Sequence, residues 1–241
     1  MNGPAAPADA RRRLALAAGA AWLSGGAPAW QGAGLLALGA ALAPAARAGT
    51  QLEEPLSDAV RSALSRAVAG AAPPRPSFDS AEQRIAYLRW LGASSDRLKR
   101  RIAEPATRTE FLETAWYESR RAGLETALVL GLVQVESAFR KYAVSRAGAR
   151  GYMQVMPFWA RQIGDGDVSR LFHMQANLRF GCTILQHYLQ RERGDLFLAL
   201  GRYNGSRGRA EYPDAVFAAR RQWLVEMAAP LPAAGAGAAS R

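Results

Sequence analysis

The stretch Leu124-Glu-Thr-Ala-Leu-Val-Leu-Gly-Leu-Val-Gln-Val135, with Glu136 next in the chain, decides the fold. Only Glu125, Thr126 and Gln134 break its apolar run, and a helix that is apolar all round belongs in a core. Glu136 therefore ends a core helix, near the negative end of its dipole. Lost hydration and the dipole both disfavour the charged carboxylate and raise its pKa. A glutamic acid still protonated near neutrality is what a general acid needs to protonate a leaving glycosidic oxygen. On this stretch alone a second reading stays open, in which the helix simply reaches the surface and Glu136 is a solvated last-turn residue.

Working outward, the rest of the chain also reads as helices. Upstream, Thr107 and Glu110 make a capping-box spacing ahead of Phe111, Ala115 and Trp116, and Gly123 stands where a helix terminator belongs. Asp79 and Glu82 resemble another helix start, with Ile85, Leu88 and Leu91 on one face. A second short helix follows through Leu98 and Ile102 and stops before Pro105. Leu56, Val60, Leu64 and Val68 mark a single short helix before the proline-rich run 71–76, which reads as a linker.

Downstream, a loop of small residues spans 143–151, and Pro157 opens a helix. The next helix covers about 176–191, with Leu178, Leu185, Tyr188 and Leu189 inward. Gly194-Asp195 separates it from a helix ending near Tyr203-Asn204-Gly205, and Pro213 opens the last, through Val216, Phe217, Trp223 and Leu224. No sustained apolar and polar alternation appears, so the expected class is all-α.

At 241 residues and 49% hydrophobic composition, the chain holds one ordinary domain with extras. Its start has the layout of an export signal: Arg11, Arg12 and Arg13, an uncharged stretch, then Ala46-Arg47-Ala48 as a small-residue cleavage site. The uncharged stretch is weakly hydrophobic for a membrane span, so a cleaved signal is preferred to an anchor. The general secretory and twin-arginine routes stay undistinguished. The expected organisation is a signal at 1–48, a linker with a short helix at 49–80, the main helical domain at 81–227 and a low-complexity tail at 228–241. Removing 1–48 takes away four arginines and one aspartate, lowering the formal charge from +11 to +8. A basic surface suits a polyanion, whether nucleic acid, anionic lipid or the carboxylate-bearing cell wall; charge does not choose among them, and the export signal argues against nucleic acid. The single Cys182 excludes an intramolecular disulfide and reads as a buried small hydrophobe.

Three motifs then fall in order over about a hundred residues. The first is Glu136-Ser137-Ala138-Phe139, followed by Ala143, Ser145, Ala147 and Gly148. The second is Gly151-Tyr152-Met153-Gln154, then Met156-Pro157. The third is Arg202-Tyr203-Asn204-Gly205, with Tyr212-Pro213 downstream. Together they resemble the soluble lytic transglycosylase family, relatives of goose-type lysozyme. The resemblance implies a lysozyme-like helical domain with a short N-terminal helical extension. It makes Glu136 the sole catalytic carboxylate and puts Ser145 near the reacting sugar. Met153 and Gln154 would contact sugar rings and acetamido groups, Tyr203 and Asn204 would position Glu136 and substrate, and Tyr212 would hydrogen-bond near the catalytic carboxyl. Two positions depart from the family pattern: Tyr152 stands where leucine is usual and Arg202 where alanine is usual. Tyr152 could reshape the groove, and Arg202 could present a cation to the wall's carboxylates.

The resemblance further implies peptidoglycan glycan strands as the partner, no cofactor, and a monomer exported to the periplasm. General wall turnover and opening the wall for a secretion apparatus remain equal alternatives. His173 and His187 lack metal-ligand spacing. The nearest rival is a hydrolytic muramidase, whose second carboxylate would be Asp165 or Asp167, although Gly164-Asp165-Gly166-Asp167 reads as a turn. The other rival is a noncatalytic wall-binding or assembly protein.

Overall fold

A computed structural model describes residues 51–70 and 73–225 of the chain. The expected signal at 1–48 and tail at 228–241 lie outside the described residues.

The apolar stretch forms α4 (Thr126–Ser137), buried without a break from Ala127 to Val133. Against it lies α8 (Glu211–Trp223). Gly131 makes that contact close: a Cβ there would meet the Arg220 backbone nitrogen at 2.6 Å and its Cα at 2.9 Å. A mid-helix glycine costs about 1 kcal/mol of helix propensity, and here the absent side chain lets two helix backbones touch.

Around this pair pack α3 (Pro105–Arg121), α6 (Met174–Arg191) and α7 (Leu196–Asn204). The α3–α6 contact carries a buried charge cluster in which Glu118 bonds Arg179 at 2.7 Å and Arg121 at 2.9 Å. The short α5 (Pro157–Ile163) and a 3₁₀ turn, Val168–Phe172, precede α6. Among the described residues no strand forms; Arg150 makes isolated antiparallel bridges to Val144 and Val155. The expected all-helical class therefore holds for them.

The amino-terminal part departs from expectation. Residues 51–68, expected as a linker with a short helix, are part of the packed body. Helix α1 (Asp58–Val68) buries Leu64 and contacts α5 and α6. Helix α2 (Ala81–Leu98) is a single element rather than two, capped by Ser80, whose side chain accepts from Gln83 N at 3.2 Å, and not by Asp79. Its inward residues are Tyr87, Ser94 and Leu98, whereas Ile85 and Leu88 are exposed. The aromatic weight of Tyr87, stacked among Phe78, Trp90 and Trp116, rotates the helix away from the aliphatic face. Helix α3 begins at Pro105, with Glu104 accepting from Ala106 N at 2.9 Å and from Thr107 N, so Thr107 sits inside the first turn. Proline's fixed φ favours that start over the Thr107 capping box.

Candidate active site

Glu136 lies in the last turn of α4, and the helix ends one residue later, at Ser137. Ala138 has φ 50° and Phe139 φ 65°, left-handed conformations that cost non-glycine residues about 1–2 kcal/mol each. Packing holds the second of them: Phe139 is buried against Phe111, ring centroids 5.6 Å apart, and Trp223, at 5.2 Å. Just before them, Ser137 Oγ donates to the Tyr152 carbonyl at 2.7 Å and ties the loop of the second motif to the helix.

That loop forms the floor beside Glu136. Gly151, at φ +76°, touches Asn177 so closely that a Cβ would lie 2.4 Å from its Nδ2. Asn177 is fully buried. Its Nδ2 donates to the Arg150 carbonyl at 2.8 Å and the Leu171 carbonyl at 2.7 Å, and its Oδ1 accepts from Met153 N at 2.8 Å. Sequence reading missed Asn177; the available signal was an asparagine on the inward face of an amphipathic helix, where an unpaired amide would be costly. Gln154, at φ 50°, donates to the Ala143 and Gly151 carbonyls at 3.1 and 3.0 Å, closing the loop on itself.

Tyr212, in the first turn of α8, donates its hydroxyl to Glu136 Oε1 at 2.5 Å. Desolvation pushes the part-buried carboxyl up to about 7, with the Tyr212 hydrogen bond pulling the other way. Burial first, and the neighbouring Glu136 charge second, raise both Tyr212 and Tyr203 well above the usual phenol range, so both are proton donors. Tyr203 is buried and donates to the Met153 carbonyl at 2.8 Å. Asn204 Nδ2 donates to Ser206 Oγ at 2.9 Å, while its Oδ1 is buried and unpartnered.

The structure thus joins Glu136 directly to Tyr212 and links Tyr203, through a backbone carbonyl, to Met153. The Met153 side chain is fully buried against Gly181, so this position offers the floor its backbone rather than its thioether. Ser145 Oγ accepts from Ala149 N at 3.1 Å within its own loop; neither Ser145 nor Asn204 hydrogen-bonds Glu136.

Both departures from the family pattern are occupied internally. Tyr152 is buried, its ring 4.9 Å from Phe111, so it fills the core instead of reshaping a groove. Arg202 pairs with Glu192 at 2.7 Å and Glu54 at 3.0 Å, so its charge is met within the molecule rather than presented to a substrate.

Asp165 pairs with Arg170, and Asp167 caps the 3₁₀ turn by accepting from Ser169 Oγ at 2.6 Å and Ser169 N at 2.9 Å; both carboxyls are held below their usual range by these bonds. They are turn residues in ion-paired or capping use. Among the described residues no group of three or more His, Cys, Asp or Glu is placed to hold a metal ion. His173 precedes α6 at the surface, and His187 lies half-buried, 5.6 Å from the Tyr188 ring. Cys182 is buried, which pushes its thiol up.

The all-helical scaffold thus holds the Glu136 carboxyl part-buried against the Tyr212 phenol, at the end of the helix that Ser137 ties to the glycine-tight loop. Residues 114–222 match the family model described as the transglycosylase SLT domain, the kind of family that the three motifs resemble. Among curated relatives, the membrane-bound lytic murein transglycosylase C of Actinobacillus pleuropneumoniae is 41% identical over 75 residues, 28% of this chain and 20% of that protein. The same-named protein of Glaesserella parasuis is 56% identical over 75 residues, 28% of this chain and 21% of that protein. A transglycosylase of Enterobacteria phage PRD1 is 33% identical over 103 residues, 43% of this chain and 37% of that protein. The chain therefore spans between 20% and 37% of the length of these relatives. A solved structure, an inactive mutant of the lytic transglycosylase Slt from Pseudomonas aeruginosa, aligns with a TM-score of 0.38 and 22% identity, covering 59% of this chain and 28% of that chain.

Proposed function

We propose that the chain is a lytic transglycosylase that cleaves the bond between N-acetylmuramic acid and N-acetylglucosamine in peptidoglycan without consuming water. The observation that carries the reading is Glu136, a carboxyl pushed up to about 7 and held by the Tyr212 hydroxyl. In the protonated form it gives its proton to the glycosidic oxygen as the C1–O bond breaks, and the substrate's acetamido group stabilises the cation developing at C1. The resulting carboxylate then takes the proton of the C6 hydroxyl while that oxygen bonds to C1, giving a 1,6-anhydro end. One group thus acts first as acid and then as base, where most glycosidases divide the work between two carboxylates. Tyr212 keeps Glu136 oriented, and Tyr203 and Met153 hold the floor. Gln154, Ser145 and the unpartnered Asn204 Oδ1 supply polar contacts for the sugar.

The arginines followed by an uncharged stretch at the start of the chain support an exported, periplasmic protein acting on the wall. No helix among the described residues is long and apolar enough to cross a membrane.

Mass spectrometry of soluble products released from purified peptidoglycan tests the reading. Muropeptides lighter than the reducing forms by one water, and inert to borohydride, are expected. Glu136→Gln should abolish their release while leaving wall binding intact. Reducible, hydrated products would make the enzyme a muramidase, and full activity in Glu136→Gln would remove Glu136 from the mechanism.

A further inference from the structure

Residues 51–54 lie outside the matched segment 114–222 and cross α5, α6 and α7 as a strap without helical structure. Its bonds are polar, and two of its residues reach the end of α7. Gln51 is only 8% exposed; its Oε1 accepts from the Trp159 indole at 3.0 Å and its Nε2 donates to the Tyr203 carbonyl. Glu53 accepts from Gln162 at 3.0 Å. Glu54 pairs with Arg191 of α6 and, at 3.0 Å, with Arg202, the residue immediately before Tyr203.

We propose that this strap is a positioning device for the active site, with Gln51 and Glu54 holding the end of α7, and with it Tyr203 and Asn204, in register with Glu136. The inference rests on the reading of Glu136 as the acid. Gln51 satisfies one buried donor and one buried acceptor at once. Without it the Trp159 indole N–H and the Tyr203 carbonyl would lose their partners, and α7 would have to shift or admit water to recover them. Because the Tyr203 hydroxyl holds the Met153 carbonyl, the shift would pass to the floor of the site. Arg202 also bonds Glu192, which Arg207 bonds in turn at 2.8 Å, so the strap joins an ion-pair network bracketing Tyr203-Asn204 on both sides.

Gln51→Met in the full chain tests the proposal, since it keeps length and volume and removes both hydrogen bonds. A misplacement of about 1 Å costs up to ~100-fold in rate. We therefore expect kcat for muropeptide release to fall about 10-fold, with KM within about twofold. The titratable groups facing Glu136 are the phenols of Tyr212 from α8 and Tyr203 from α7. A loosened α7 admits water to Glu136 and lowers its pKa, so the alkaline limb of the pH profile should move to lower pH by about half a unit. Glu54→Gln, at the half-exposed edge of the strap, should act in the same direction and more weakly. A ¹³C titration of the Glu136 carboxyl reads the same shift without substrate. A lowered pKa in Gln51→Met supports the strap even if the parent chain cleaves nothing, a result that would count against the lytic reading alone. An unchanged titration overturns the proposal, and a variant that melts earlier yet keeps the parent's carboxyl pKa makes Gln51 structural only.

Discussion

On the proposed reading of Glu136 as the acid, Tyr212 and Glu136 set the pH range over which the site can act. Since the acid must be protonated to begin, activity should decline as pH rises through about 7, where desolvation has pushed the carboxyl. The Tyr212 hydrogen bond opposes that push by favouring the charged form. Tyr212→Phe removes the opposition, so the alkaline limb of kcat/KM should move to higher pH while the maximum rate falls about 10-fold through lost orientation. A limb that moved down instead would mean that water replaces the hydroxyl. The apolar helix drew notice to Glu136 but left it open between a raised acid and a solvated last-turn residue, and only the three motifs around it singled it out. The partnership of Tyr212 with its Oε1 came from the resemblance, since nothing in the spacing of positions 136 and 212 states that two helices cross there. Gln51 was illegible on either ground: its partners lie far along the chain, and a glutamine in an unpatterned segment carries no period to read.

At the scale of elements, α4 with α8 is the contact on which the site depends, since one carries Glu136 and the other Tyr212. Gly131→Ala would gain about 1 kcal/mol of helix propensity, but its methyl would meet the Arg220 backbone at 2.6 Å, where nothing flexible can give. Overpacking of that kind costs about 1–3 kcal/mol, so a net loss of stability and a Tm lower by several degrees are expected in a thermal melt. A stabilised variant would show that α8 can slide. The apolar core helix and the proline and glycine punctuation fixed most helices in the sequence. The amino-terminal boundaries slipped because two candidate caps stood within a few residues of each other. Ser80 prevailed over Asp79, and Glu104 before Pro105 prevailed over Thr107, the latter because proline's fixed φ suits the first helical position.

Across the whole molecule, the segment ahead of the matched domain is fastened to it by charge as well as by packing. The Glu118 carboxylate ties α3 to α6 through Arg179, which also donates to the Gly70 carbonyl at 2.8 Å, at the end of the amino-terminal part. Removing one partner of such a buried pair costs about 3–5 kcal/mol. Glu118→Ala should therefore lower the denaturant midpoint strongly and expose residues 51–70 to protease; a midpoint near that of the parent would mean that the pair is hydrated. The floor of the site is fastened in a similar way, by the single amide of Asn177 bonding residues 150, 153 and 171. A surface clamped at three points does not have to be assembled when a ligand arrives, so its ordering entropy is lost at folding and not at binding. On the proposed function such a site would act as a template for glycan segments already shaped to lie on it, and its selectivity should depend more on how taut or slack the polymer is than on any movement of the protein.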